Sequence, residues 1–199
     1  IDRFLVAAEA FKIKVILIFN KIDTYSKNDF KELEIIYKTY KSINYECYKI
    51  SSFSIDDIDR IKKAMNRKVN MFCGHSGVGK STLLNSISPN LNVKTSKISK
   101  LNNSGKHTTT FAEMFDIEKN IRIIDTPGIK GFGLVDFDDD KLSDYFVEFS
   151  SLKEYCKFKD CNHINEPNCM VKKKLNQKVI SASRYKSYID LHFESKKYR

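Results

Sequence analysis

The octapeptide Gly74-His75-Ser76-Gly77-Val78-Gly79-Lys80-Ser81 constrains this fold more than any other stretch, because it satisfies G-x-x-x-x-G-K-[ST] at every fixed position. An apolar run over 69–73 precedes it and reads as a buried strand. Ser81-Thr82-Leu83-Leu84-Asn85 follows it and reads as the start of a helix. Strand, glycine-rich loop and helix in that order make a phosphate cradle. The glycines let successive backbone N–H groups face one anion, and the helix N-terminus adds its positive dipole end. In such a cradle Lys80 reaches the β and γ phosphates of a nucleotide and the Ser81 hydroxyl ligates Mg2+, with His75, Ser76, Gly77, Val78 and Thr82 completing the wall. The competing reading, a glycine-rich turn with a solvated lysine, leaves the flanking strand and helix unexplained.

The 199 residues suffice for one sizeable domain and a small appendage. No run of about 18 apolar residues occurs, so no membrane span or membrane partner is expected. The opening at Ile1 lacks the charged, apolar and small-residue succession of a secretory signal, and the lack of an initiator Met predicts further chain ahead of it. Five cysteines, three of them crowded between positions 156 and 169, do not resemble a disulfide framework, which predicts a reducing, cytoplasmic setting. Cys47 and Cys73 fall in apolar runs and read as small core residues. A net charge of +10 points to a polyanionic partner. Residues 151–199 hold twelve Lys/Arg against five Asp/Glu, so +7 of the excess lies in the tail. Abundant Lys and Asn also follow from a nucleotide-composition bias, which is the alternative reading.

Upstream of the loop, helical spacing at Phe4, Leu5, Ala8 and Phe11 precedes a β-branched run over 15–19 that ends on Asn20-Lys21-Ile22-Asp23. Asn-Lys-x-Asp at a strand's C-terminal edge is the guanine-recognition pattern of GTPases. A carboxylate at Asp23 can accept from both the N1–H and the N2–H2 of guanine, a pair of donors that adenine does not offer. Lys21 would lie along the base, and Asn20 would tie this loop to the phosphate loop. Alone the tetrapeptide also reads as a surface turn; beside the phosphate loop it moves the nucleotide from ATP to GTP. An amphipathic helix through Phe30, Leu33, Tyr37 and Tyr40 leads to a strand over 45–50 that ends at Ser51-Ser52, where a backbone N–H can serve guanine O6. Ser54-Ile55-Asp56-Asp57 reads as a capping box that opens a further helix.

Downstream, a polar stretch ends in His107-Thr108-Thr109-Thr110, where a switch loop would close on the γ-phosphate and Mg2+. Two strands joined at 118–120 then run into Asp125-Thr126-Pro127-Gly128, a second switch. Asp125 would hold a water on Mg2+, and the Gly128 N–H would sense the γ-phosphate. The next residue is Ile129, where many GTPases carry the Gln that orients the attacking water. In the usual order the phosphate loop comes first and Asn-Lys-x-Asp near the end. Here that order is rotated, as in a circular permutation, which closely spaced surface termini permit.

After the second switch comes Cys156-x4-Cys161-x-His163-x5-Cys169. Three thiolates and one imidazole suit one closed, structural Zn2+ site; the alternative is unrelated buried cysteines beside a solvated histidine. Lys172-Lys173-Lys174 and a helix with Ala182, Tyr185, Ile189 and His192 or Phe193 on one face follow, accompanied by Arg184, Lys186, Lys196, Lys197 and Arg199. A solvated charged face is the ordinary reading of such a helix, and phosphate-backbone contact with RNA is the functional one.

The permuted order, Asp125-Thr126-Pro127-Gly128, His107-Thr108-Thr109-Thr110, the cysteine-histidine spacing and Arg184-Tyr185-x-Ser187-Tyr188 resemble the RsgA (YjeQ) family of small-ribosomal-subunit-dependent GTPases over nearly the whole chain. The resemblance implies an α/β fold. A linker helix over 1–12 would enter a circularly permuted P-loop GTPase domain over 13–138, a mostly parallel sheet with helices on both faces. A small, mainly helical zinc-binding domain would occupy 139–199. It implies a GTP hydrolase, cycling between GTP and GDP with Mg2+, late in maturation of the small (30S) subunit. The subunit and its rRNA would be partners of a monomer. The family's N-terminal oligonucleotide-binding barrel is absent from these residues, 1–10 resembling the linker that follows it. By position Thr109 would contact Mg2+ beside Ser81, and His107 would position water, a structural capping role being its alternative. Lys80, Thr109 and His107 are thus the implied catalytic set. Two other readings stay open: a nucleotide-gated RNA-binding module with little turnover, and another permuted ribosome-assembly GTPase.

Overall fold

The computed structural model describes residues 1–89, 113–118, 120–125 and 139–197. In chain order the elements are helix α1 (Asp2–Ala10), strand β1 (Ile16–Phe19), α2 (Lys27–Ser42), β2 (Glu46–Lys49), α3 (Ile55–Met65), β3 (Lys68–Met71), α4 (Lys80–Ile87), β4 (Glu113–Glu118) and β5 (Ile121–Asp125). Beyond them come 3-10 turns at Asp139–Tyr145 and Lys153–Tyr155, a short helix Val147–Ser150, and helices Met170–Asn176 and Ala182–Lys197. Two compact units divide the chain. One is Leu17–Ile35 with Cys47–Gly131, and the other is Ile1–Ile16, Ile36–Glu46 and Phe132–Arg199.

The first of these units carries the phosphate loop. Its strands form a β1-β2 ladder and a β3-β5-β4 ladder. β3 runs parallel to β5 with Lys68 opposite Ile121 and Met71 opposite Ile124, whereas β4 is antiparallel to β5. Helices α3 and α4 supply Ile58, Ile61, Met65, Leu83, Leu84 and Ile87 to a core closed by Ile50, Ile121 and Ile123. α3 starts where it does because the Ser54 hydroxyl accepts from the Asp57 N–H at 3.4 Å. The return arm of the expected capping box differs, since the Asp57 carboxylate accepts from the Ser51 N–H at 3.0 Å instead. The helix cap therefore fixes the Ser51-Ser52 turn.

Two expectations are corrected in this unit. The strand before the phosphate loop is not fully buried: Val69 is 49% and Met71 41% exposed, because among the described residues β3 is an end strand of its ladder and pairs with β5 alone. Cys73, expected in the core, is exposed, whereas Cys47 is buried.

The other unit packs Val6 of α1 with Leu142, Phe146, Phe149, Val171, Ile180, Tyr188 and Leu191. The buried side of α1 is Asp2, Leu5, Val6 and Ala7, and Phe11 at its C-terminal end is exposed, a rotation from the expected Phe4-Leu5-Ala8-Phe11 face. The terminal helix is rotated likewise. It buries Arg184, Tyr188, Leu191 and His192. The cause is one polar cluster that draws both helices inward. Arg184, expected among the solvated basic residues, is 1% exposed. It donates from Nη1 to Asp2 Oδ1 at 2.7 Å and from Nε and Nη2 to the two Glu148 oxygens at 2.8 and 3.0 Å. Burial works against its charge, yet Glu148 and Asp2 hold its pKa above the ordinary arginine value. No described helix is long and apolar enough to cross a membrane.

Candidate functional site

The phosphate loop joins β3 to α4. Gly77 and Gly79 have φ of +83° and +93°, the left-handed region that favours glycine. Gly79 is constrained twice, because a Cβ there would also collide with the Asn20 side-chain nitrogen. Gly79 caps α4 without a side-chain acceptor, so the first N–H groups of the helix face the loop. Lys80 folds back across the loop and donates from Nζ to the carbonyls of Gly74 at 2.6 Å and His75 at 2.7 Å. His75, Ser76, Gly77 and Val78 are exposed, and Ser81 and Thr82 are half-buried in the first turn of α4.

Asn20-Lys21-Ile22-Asp23 meets this loop directly. Asn20 donates from Nδ2 to the Val78 carbonyl at 3.2 Å, and its Oδ1 accepts from the Ser52 hydroxyl at 2.9 Å. Lys21, itself at φ +66°, donates from Nζ to the Gly77 carbonyl at 2.6 Å. The loop is held in place by Ile22 N–H to Ile50 C=O at 3.2 Å and by the Thr24 hydroxyl to Lys21 C=O at 2.8 Å. Asp23 is exposed in the short turn Ile22–Thr24. The Ser51-Ser52 turn is fixed by Asp57 on one side and by the Phe53 N–H, which donates to Ser51 Oγ at 3.2 Å, on the other. Three stretches far apart in sequence thus form one edge, with Asn20 at their junction. Asp125 ends β5. His107, Thr109 and Gly128 lie outside the described residues.

The metal-type cluster lies in the other unit. One ligand atom each of Cys156, Cys161, His163 and Cys169 falls within 4.8 Å of all the others. His163 Nδ1 faces Cys169 Sγ at 3.4 Å and Cys156 Sγ at 3.7 Å. Burial holds the His163 pKa below its ordinary value, favouring the neutral imidazole that can ligate. Burial also pushes the Cys161 thiol up to about 12. Three sulfurs and an imidazole nitrogen at this separation fit a tetrahedral Zn2+ site.

Sequence reading missed the surroundings of this cluster. The Glu166 carboxylate accepts from the N–H groups of Asn162, Ile164 and Asn165 at 2.9, 2.9 and 3.0 Å. Tyr185 and Tyr188 donate their hydroxyls to the carbonyls of His163 and Asn162 at 2.7 and 2.6 Å. A half-buried glutamate three residues after His163 and a Tyr-x-x-Tyr spacing at 185–188 are the only local signals.

A phosphate loop in mid-chain, with its base-recognition segment upstream and a cysteine-histidine cluster downstream, defines a circularly permuted P-loop GTPase with an appended metal-type module. The RsgA GTPase family profile matches residues 1–135, and the chain belongs to that family. The Small ribosomal subunit biogenesis GTPase RsgA of Christiangramia forsetii is 52% identical over 96% of this chain and 61% of its own length. The Flavobacterium johnsoniae protein of the same name is 51% identical over 96% of this chain and 59% of its own. The chain thus spans about three fifths of the length of these relatives. Among solved structures, YjeQ from Thermotoga maritima matches with a TM-score of 0.80 at 31% identity, covering 97% of this chain and 64% of that one. YloQ, described as a circularly permuted GTPase, matches with a TM-score of 0.79 at 29% identity, covering 100% and 62%.

Proposed function

We propose that this chain is the GTP-hydrolysing part of a factor acting late in small ribosomal subunit biogenesis, converting GTP to GDP and phosphate with the subunit as activator. The observation that carries the reading is the Asn20 clasp. It ties Val78 of the phosphate loop to Ser52 of the Ser51-Ser52 turn, and so sets a base edge at a fixed reach from a phosphate cradle. Asp23 selects guanine, Lys21 lines the base with its stem, and the Ser51-Ser52 turn serves O6. Gly74, His75, Ser76, Gly77, Val78 and Gly79 wrap the phosphates with backbone N–H groups, Thr82 supports the first turn of α4, and Lys80 turns to the β and γ oxygens. Ser81 and Thr109 would hold Mg2+, which when bound neutralises charge on the β and γ oxygens. Asp125 would hold a water on Mg2+ when the ion is bound, and the Gly128 N–H would sense the γ-phosphate. His107 positions the attacking water in place of the Gln that Ile129 replaces.

Cys156, Cys161, His163 and Cys169 hold one structural Zn2+, which staples residues 139–199 into a module carrying much of the positive charge. The partners are the small subunit and its rRNA, the location is the cytoplasm, and the chain is a monomer. The domain reading is a linker helix over 1–12, a GTPase domain over 13–138 and a zinc module over 139–199.

The test is GTP turnover by the chain with purified small subunits, large subunits or neither. Stimulation by small subunits alone is expected. An unchanged rate with small subunits would refute activation, and tight nucleotide binding without turnover under any condition would leave the binding-module reading in its place.

A further inference from the structure

We infer that Tyr155 and Phe158, with the lysines around them, form a stacking platform for an unpaired RNA strand. The inference rests on the reading that RNA of the small subunit is the partner, and it specifies which surface meets RNA and in what form.

The segment runs Tyr155-Cys156-Lys157-Phe158-Lys159-Asp160-Cys161. Its two cysteines point into the metal-type cluster, Cys161 being 3% exposed. Turning both ends inward forces the residues between them outward, and Lys157, Phe158, Lys159 and Asp160 are all exposed. Tyr155, at the end of its 3-10 turn, is 62% exposed, and Phe158 is 39% exposed. Neither ring belongs to this unit's buried core. Phe158 within the pinned loop and Tyr155 just before it thus present ring surface to solvent that a partner can cover. Because cysteines anchor both ends of the loop, little ordering entropy remains to be lost on binding.

The charge around the rings selects the partner. Lys157 Nζ lies over the Phe158 ring, 5.5 Å from its centroid. Neither Lys157 nor Lys159 forms an ion pair among the described residues, whereas Lys153 is tied to Asp144 at 2.7 Å. Glu154 and Asp160 offset Lys157 and Lys159, but the helix Met170–Asn176, which packs on the Lys153–Tyr155 turn, carries three further lysines at 172–174, of which Lys173 is exposed. The result is a cationic surface with exposed aromatic faces. Such a surface suits a strand whose bases are free to stack while its phosphates meet lysines. A duplex, with its bases stacked internally, offers its backbone but no free base face.

The measurement is anisotropy of a labelled, unstructured RNA of about twelve nucleotides, within the site sizes that such surfaces cover, against a duplex of the same sequence over a salt series. Variants are Tyr155→Leu/Phe158→Leu and Lys157→Gln/Lys159→Gln, each checked for unchanged zinc content and far-UV spectrum. The single strand should bind more tightly than the duplex. The leucine pair should lose about tenfold or more in single-strand affinity at an unchanged salt slope. The glutamine pair should flatten the slope by about 0.7 per lysine. Undetectable single-strand binding, equal binding of the duplex, or leucine variants that bind like the parent would each overturn the platform. Leucine variants that bind RNA normally but lose stimulation by small subunits would also overturn it and mark a protein-docking surface. The platform survives if RNA binding follows the expected pattern while subunits fail to stimulate hydrolysis, since that result refutes only the activation reading.

Discussion

Arg184 and Asp2, 182 positions apart in the chain, meet at 2.7 Å in the interior of one compact unit. Asp2 also accepts from the Tyr40 hydroxyl at 2.7 Å, and the guanidinium lies 4.6 Å from the centroid of the Phe146 ring. Burial, followed by the Asp2 carboxylate, pushes the Tyr40 phenol above its ordinary range. An arginine that forms two ion pairs, stacks on an aromatic ring and is sealed from water belongs to the architecture, and no phosphate can reach it.

Arg184→Met should therefore destabilise the fold without altering RNA binding by the native protein. Removing the guanidinium strands two buried carboxylates, a loss of about 3–5 kcal/mol. Arg184→Lys should recover only part of it, since an ammonium cannot reproduce the two-oxygen grip on Glu148. Urea titration gives the stability difference, and the salt slope of RNA binding should equal that of the parent. A stable Arg184→Met protein with a flattened slope would show that the side chain faces solvent.

Gly79→Ala tests the clasp. The new methyl meets the Asn20 side chain, and the backbone at φ +93° resists any Cβ, so the variant should lose nucleotide binding while staying folded. Asn20→Ala alone removes contacts to Val78 and Ser52 and should weaken binding by roughly tenfold, as for one or two ordinary hydrogen bonds. In Asn20→Ala/Gly79→Ala the collision is relieved and only the backbone strain remains. Affinity for a fluorescent GDP analogue should accordingly be better than the two single losses combined. Strict additivity would place the cause in the backbone alone.

Chelation addresses the cysteine-histidine cluster. Metal analysis should find about one zinc per chain, and removing it should unfold the segment around Glu166 and release Tyr185 and Tyr188 from their carbonyls, because the coordination energy is part of the folding energy. Tyrosine fluorescence and far-UV circular dichroism follow this, with recovery on adding Zn2+. Cys161→Ser should bind zinc as poorly as the chelated protein and Cys47→Ser as well as the parent, since Cys47 lies in β2 and is not one of the four clustered side chains.

The features legible in the sequence are those written in short spacings. The glycine-lysine pattern at 74–81, the Asn20-Lys21-Ile22-Asp23 turn and the cysteine-histidine cluster within positions 156–169 depend on local geometry, so residue type and interval suffice to find them. The features that escaped depend on distant partners. Nothing near Arg184 announces Asp2 or Glu148, so apolar spacing alone assigns the helix a different inward side from the one that Arg184, Tyr188 and Leu191 form. The Asp57 carboxylate looked like the return arm of a capping box, but the Ser51 N–H competes for it and wins. Val69 and Met71 have the composition of a buried strand, and only the ladder order shows that, among the described residues, β3 pairs on one side alone.

Asp23→Asn bears on the choice of base. The exposed Asp23 carboxylate can accept two hydrogen bonds from the N1 and N2 edge of guanine, and it stands in a turn fixed by Ile50 and Thr24 whatever its own side chain does. Asparagine preserves the size and the turn but presents one acceptor and one donor group. That set mismatches guanine and matches xanthine, whose C2 carbonyl accepts. Charge-assisted hydrogen bonds contribute about 1.5–3 kcal/mol each, so GDP affinity should fall by at least tenfold and XDP affinity should rise above it. Competition between the two diphosphates for the fluorescent GDP site gives the ratio directly. A variant that still prefers GDP would detach Asp23 from base recognition and leave the phosphate loop serving a nucleotide chosen by other residues.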